Sequence, residues 1–304
     1  MRIVSLLPSA TDIVVALGLS PSLVGRTHEC DWPGNIKDVP VMTQDALQMS
    51  SMSTREINEA IAASVHSGSS IYLLDLEALK EAAPDLILTQ ELCTVCAVSY
   101  SQVAKAARML DAGTKILSLE PRTLGDILEQ VTLVAEVAGV ADRGVGLVAE
   151  LHRRIEAVKE SVRFLPRPKV ASLEWLDPIY FAGHWVPDQV AAAGATEVVG
   201  RSGQYSRPIP WEMVASSKPA FLFLMPCGHS IDRAQKDIDL ISGRPGWSEI
   251  PAVSGGQVWA VNGPAYFNRP GPRVVRGIEV LASIIHKVGE VGEDEARRLI
   301  SHPA

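Results

Sequence analysis

The chain has 304 residues, 47% of them hydrophobic and 21% charged, which is the composition of an ordinary globular protein long enough to bury a sizeable core. Its 28 basic and 35 acidic residues give a net charge of −7 without any Lys or Arg run, so a nucleic-acid partner is not expected. The longest apolar stretches, such as residues 3–7 and 220–225, fall well short of the ~18 residues a membrane span needs, and no membrane insertion is expected.

Short apolar runs alternate with helical patterns from the start. Residues 3–7 read as a strand, and Ser9 with Asp12 three positions on reads as a capping box opening a helix over 10–18. A second strand is predicted at 23–27. The Ser- and Met-rich stretch 42–70 reads as an insertion holding one exposed helix near 54–65. A helix over 75–83 is stopped by Pro84-Asp85 before a buried strand at 86–89, and a helix at 101–110 and a strand at 115–119 follow. Strands alternating with helices predict βαβ units and a parallel sheet.

From 123 to 164 there is no strand pattern and no proline. A helix over 124–138, a break at Gly139 and a longer helix from 142 to about 162 are predicted, with Val145, Val148, Leu151, Ile155 and Val158 at helical spacing. Some 20 helical residues span roughly 30 Å, about the width of a small domain. Pro166-Arg167-Pro168 ends this segment. A second alternating set begins there, with strands at 169–174, 220–225 and 257–261 and helices near 187–193, 212–217, 231–241 and 272–288. The expected fold is α/β: two Rossmann-like lobes with parallel sheets, an N-terminal lobe over 1–140 and a C-terminal lobe over 166–304, joined by one long backbone helix over 141–165. A single doubly wound domain is the alternative.

In open α/β sheets ligands bind outside the carboxyl ends of the strands. The loops after the predicted strands hold all four Cys, three of the seven His and three of the six Trp. Trp32, Trp175, Trp185 and Tyr266 would offer flat apolar contacts with a polar handle, and His28 and His184 lie among them as polar candidates. Soft thiolate with imidazole selects zinc, copper(I) or an iron–sulfur cluster. Cys93-x-x-Cys96 has chelating spacing but no second such pair, so a metal site would need Cys30 or Cys227, with His28, His184 or His229, assembled across the fold. The bland reading is that the Cys are small buried hydrophobes and the Trp seal lobe edges. No Walker sequence, Gly-x-Gly-x-x-Gly or Gly-x-Ser-x-Gly is present, and no carboxylate pair is spaced for acid–base work. Phosphate-loop nucleotide binding and elbow-type nucleophilic catalysis are therefore not expected, while a binding protein and a metal- or thiol-dependent enzyme both stay open. Met1-Arg2 leads straight into the first strand without a secretory pattern, which predicts a cytoplasmic protein, or a periplasmic or extracellular one if a leader was removed.

Arg2-Ile-Val-Ser-Leu-Leu-Pro-Ser-Ala-Thr-Asp12 followed by Ala16-Leu-Gly18 resembles the opening of the cobalamin-binding branch of the helical-backbone ABC-transporter substrate-binding proteins. So do Ala83-Pro-Asp-Leu-Ile-Leu88 and Arg269-Pro-Gly-Pro-Arg273. The resemblance spans nearly the whole chain. It implies a binding protein with two lobes on a bridging helix and a small-molecule ligand, cobalamin or a related corrinoid, held between them. It would make His28 and His184 polar or axial partners of that ligand, with Ser9 of the opening motif joining the ligand-binding candidates. It also implies a permease partner: Glu77 and Glu212, each seven residues before a proline that precedes a strand (Pro84 and Pro219), resemble the glutamates with which such proteins dock. The His28-Glu-Cys30-Asp-Trp32, Cys93-x-x-Cys96 and Pro226-Cys-Gly-His229 loops depart from the cobalamin-binding pattern and suggest an intracellular offshoot with a thiol-lined cleft.

Overall fold

The computed structural model describes residues 1–47, 49–67, 71–90 and 113–300, and divides the chain into two compact units. The first holds Met1–Pro121 and Asp126–Ala149, the second Arg122–Gly125 and Glu150–Ala304.

In the first unit, β1 (Ile3–Ser5), β2 (Leu23–Gly25), β5 (Leu86–Thr89) and β6 (Lys115–Ser118) form an all-parallel sheet in the order β2-β1-β5-β6. All four residues of β5 are buried, as expected of a strand covered on both faces. Alternate side chains serve opposite faces. Ile3, Leu86 and Leu88 pack with Ile13 and Val14 of α1 (Pro8–Ala16) and with Val131 and Val134 further along the chain. Val4 and Ile87 pack instead with Met42, Ile71 and Leu79. Each such buried side chain contributes roughly 1.5–3 kcal/mol of hydrophobic stabilisation.

Two expectations need correction here. The helix α1 begins one residue before Ser9, and Leu7 is its N-cap without a side-chain bond. Pro8 takes the first helical position, where its missing N–H costs nothing, so Ser9 lies buried inside the first turn and is not a cap. The 42–70 stretch is more than one helix. Besides α2 (Thr54–Ser67) it contributes β3 (Thr43–Asp45), which pairs antiparallel with β4 (Tyr72–Leu74) in a separate two-stranded sheet. Those strands are three residues long, too short for a period-2 pattern to stand out. The helix predicted at 101–110 lies outside the described residues. Next along the chain are α3 (Leu76–Ala82), capped by Asp75, and α4 (Leu124–Val137).

The helix α5 (Ala141–Ser161) is unbroken over 21 residues, and the boundary between the units falls within it. Gly139 takes φ +75° just ahead of it, which supplies the break between α4 and α5.

The second unit is built on β7 (Lys169–Leu176), β10 (Phe221–Leu224) and β11 (Val258–Val261), which are mutually parallel with β10 in the centre. Antiparallel strands extend this α/β sheet on both sides: β8 (Ile179–Phe181) pairs the second half of β7, and β12 (Ala296–Arg298) pairs β11. A two-residue β9 (Thr196–Glu197) runs parallel to the first residues of β7. The helices are α6 (Val186–Ala192), α7 (Trp211–Ser217), α8 (Ile231–Asp237), α9 (Asp239–Ser242), α10 (Pro251–Ser254), α11 (Gly263–Tyr266) and α12 (Val274–His286). At Gly277 of α12 a Cβ would sit 2.6 Å from the Gln189 amide nitrogen and 2.7 Å from the Tyr266 carbonyl, so only glycine lets α12 lie against α6 and the loop after β11. Arg154 of α5 bonds Glu279 of α12 at 2.8 Å, and Arg276 grips Glu295 through two 2.7 Å contacts, tying the N-terminal half of α12 into the unit.

Candidate functional site

The loop after β2 in the first unit is organised by an arginine that sequence reasoning passed over. The Arg26 guanidinium is buried and donates to the carbonyls of Ile36, Thr27, Cys30 and Lys37 at 3.1–3.2 Å. This knot fixes the course of residues 27–37. Within it the His28 Nδ1 lies 2.8 Å from Thr43 Oγ1, and its ring tilts against Tyr72 at 5.2 Å. Its Nε2 is 3.5 Å from Glu29. Trp32 is the most open of the expected ligand contacts, 38% exposed. Cys30 is only 5% exposed and belongs to the apolar core, with its Sγ 3.0 Å from Thr11 Oγ1. The loop turns this thiol inward, into the apolar core of the unit.

In the second unit hydrogen bonds lace several loops together. Trp185 Nε1 donates to the Phe267 carbonyl (2.8 Å), Asn268 Nδ2 to the Met225 carbonyl (3.1 Å), and Gln189 Nε2 to the carbonyls of Tyr266 and Val274. Trp185 is thereby buried as a tie between the 184–185 segment and the loop after β11. Trp175 lies within β7, not after it, because β7 runs to Leu176 before turning into β8. Its Nε1 donates to the Asp177 carbonyl, and its ring lies 4.9 Å from that of His229.

His184 adopts φ +51°, a left-handed conformation seldom used by a bulky residue. Its ring meets Tyr205 edge-on at 5.4 Å and tilts against Trp185 at 5.5 Å, and Nδ1 lies 3.4 Å from Ser206 Oγ. The Arg122 guanidinium stacks 4.9 Å above Tyr205. Burial, and then the Arg122 charge, hold the His184 pKa below the ordinary histidine value, which favours the neutral imidazole. Arg122, Tyr205 and Ser206 had no spacing signal, since they come from a short crossing segment and an irregular loop. Tyr266 is half-buried under Arg273, 5.2 Å from its ring, and burial together with nearby Glu295 raises the pKa of its hydroxyl.

Cys227 is an exposed free thiol on the turn after β10, and Cys93 and Cys96 lie outside the described residues. Among the described residues no three His, Cys, Asp or Glu side chains gather as a metal cluster. Glu77 and Glu212 are both exposed in the first turn of a seven-residue helix, α3 and α7 respectively. No helix among the described residues is long and apolar enough to cross a membrane.

Two α/β units with ring-bearing loops beyond parallel strands, sharing one long helix, define a substrate-binding protein of the helical-backbone type. The chain belongs to the periplasmic binding protein family, which it matches over residues 3–264. It is 24% identical over 293 residues to an uncharacterized ABC transporter substrate-binding lipoprotein, YvrC, of Bacillus subtilis (strain 168), covering 94% of this chain and 80% of that one. It is 20% identical to a vitamin B12-binding protein of Vibrio cholerae serotype O1, covering 93% and 88%. A solved periplasmic heme-binding protein, RhuT, from Roseiflexus sp. RS-1 has the same fold, with a TM-score of 0.69 at 22% identity over 94% of this chain and 98% of that one.

Proposed function

We propose that this protein binds a metal-bearing macrocyclic chelate, a corrinoid of the cobalamin type or a related tetrapyrrole, without transforming it, and presents it to an ABC permease. The observation that carries the reading is the His184 group: an imidazole between two aromatic rings, with a guanidinium stacked on one of them. A flat apolar macrocycle with polar substituents suits such a surface. Among the relatives, one is named for vitamin B12 and another for heme, which supports the macrocycle class and leaves its metal open. Trp32, His28 and Trp175 are the further contacts of this reading. Glu77 and Glu212 are its docking carboxylates, one on each unit.

The family and the lipoprotein relative favour a place outside the cytoplasmic membrane over a cytoplasmic one. A zinc or iron–sulfur site would rest on Cys93 and Cys96, and nothing in the described residues supports it. Calorimetric titration of the purified protein with cyanocobalamin and with hemin tests the proposal. Binding of at least one at micromolar affinity or better is expected, weakened by Arg122→Ala or His184→Ala. No heat and no spectral change with either chelate at high micromolar concentration would sink it.

A further inference from the structure

The turn after β10 carries a histidine prepared for coordination. Residues Pro226 to His229 form a β-turn closed by the His229 N–H to Pro226 carbonyl bond (3.1 Å), with Gly228 at φ +73° supplying the left-handed position. Cys227 N–H donates to the Glu174 carbonyl, which seats the turn against the end of β7. His229 is 9% exposed. Its Nδ1 lies 3.1 Å from Asp237 Oδ2, and Asp237 is in turn held by Arg233 at 3.1 and 3.2 Å. A carboxylate at Nδ1 fixes the tautomer that leaves the Nε2 lone pair available, the arrangement found behind most metal-bound histidines. No hydrogen bond reaches Nε2 from a described residue. The Trp175 ring, 4.9 Å away at 47°, adds a flat apolar surface beside it.

His28 and His184 are less well prepared. The Nδ1 of His28 meets a hydroxyl and its Nε2 faces Glu29, while among the described residues the His184 Nδ1 has a long 3.4 Å contact to the Ser206 hydroxyl in place of a carboxylate.

We infer that His229 Nε2 coordinates the metal of the bound chelate, with Asp237 and Arg233 as its positioning residues. The inference rests on the chelate reading above and names the donor within it.

The test uses aquacobalamin and hemin, each of which has an exchangeable axial position, with cyanocobalamin as a control whose axial ligand exchanges slowly. Binding to the unaltered protein should give the absorbance shift of imidazole coordination with aquacobalamin or hemin, and none with cyanocobalamin. His229→Ala should abolish the shift and weaken binding at least about ten-fold, while His28→Ala and His184→Ala, although they weaken binding, give the full shift once enough protein is added to saturate the chelate. Added imidazole should restore both the shift and the lost binding affinity in His229→Ala, at concentrations that leave the free chelate unligated in a protein-free control. Asp237→Asn, which keeps the histidine, should weaken binding by about 10–100-fold, the usual effect of losing such a partner. A shift that survives His229→Ala, one lost only in Cys227→Ser, or binding with no shift in the unaltered protein overturns the inference and leaves the chelate reading standing. Failure to bind either chelate defeats that reading and the inference with it.

Discussion

The two units each contain the same short passage of backbone, and what differs is how its first residue is used. Leu76–Ala82 and Trp211–Ser217 are helices of seven residues. Each ends on a non-glycine residue in the left-handed region, Ala83 at φ +38° and Lys218 at φ +48°. Each is followed by a proline and, one residue later, by a four-residue strand central to its sheet. Even the residue between proline and strand does the same work: Asp85 N–H bonds the Arg2 carbonyl, and Ala220 N–H bonds that of Lys169. Yet Leu76 is 40% exposed behind an Asp75 cap, whereas Trp211 is 3% exposed, donates to the Pro245 carbonyl and stacks on Trp247. The turn chemistry sets the path of the chain in both units. The neighbours decide whether the helix is held by a polar cap or by a buried ring.

The largest expected effects test whether the passages are equivalent. Leu88→Ala in β5 and Phe223→Ala in β10 each empty a fully buried position at the middle of a central strand, and each should lower stability by about 3 kcal/mol or more in urea unfolding. A cost below about 1 kcal/mol in one unit alone would break the equivalence. Trp211→Ala should cost a similar amount, while Leu76→Ala should stay within about 0.5 kcal/mol.

Glu197, at the end of β9, gives the second unit a pH dependence. Its Oε1 accepts from the N–H groups of Val198 and Val199 at 3.0 and 3.1 Å, and its Oε2 is enclosed. Burial pushes its pKa from 4.5 to about 7 against the lowering effect of Ser172 and of the Val199 and Gly200 N–H groups. The folded state therefore holds the proton more tightly than the unfolded state. As far as this group is concerned, its contribution to stability is fully present below about pH 4.5 and falls by up to about 3 kcal/mol as pH rises to 7. Melting temperature against pH for the unaltered protein and Glu197→Gln checks the sign, since the substitution should flatten that fall. The smallest effect is at the cap: Asp75→Ala should cost about 1 kcal/mol, because its carboxylate accepts from the Ala78 N–H at 2.9 Å. No counterpart exists at Pro210, which caps α7 without a side-chain bond.

The sequence by itself determined the two sets of alternating strands and helices, the long helix between them and the central strands β5 and β10. These are long-period or fully buried features, in which every residue carries the signal. It missed β3, β4, β8, β9 and β12, because these two- and three-residue strands owe their existence to a partner or an edge that accepts them and not to their own pattern. It found the loops that carry the candidate site, because parallel strands end there and the unusual residues cluster there. Only the tertiary structure decided which side of each loop a residue serves. It turned Cys30 and Trp185 inward, where core packing and one carbonyl bond hold them, and gave His184 its left-handed backbone between Trp185 and Tyr205. It also brought Arg122 over Tyr205 and Asp237 behind His229. Those pairings join residues whose spacing carries no period, so they follow from how the elements pack, which no local stretch of the chain encodes.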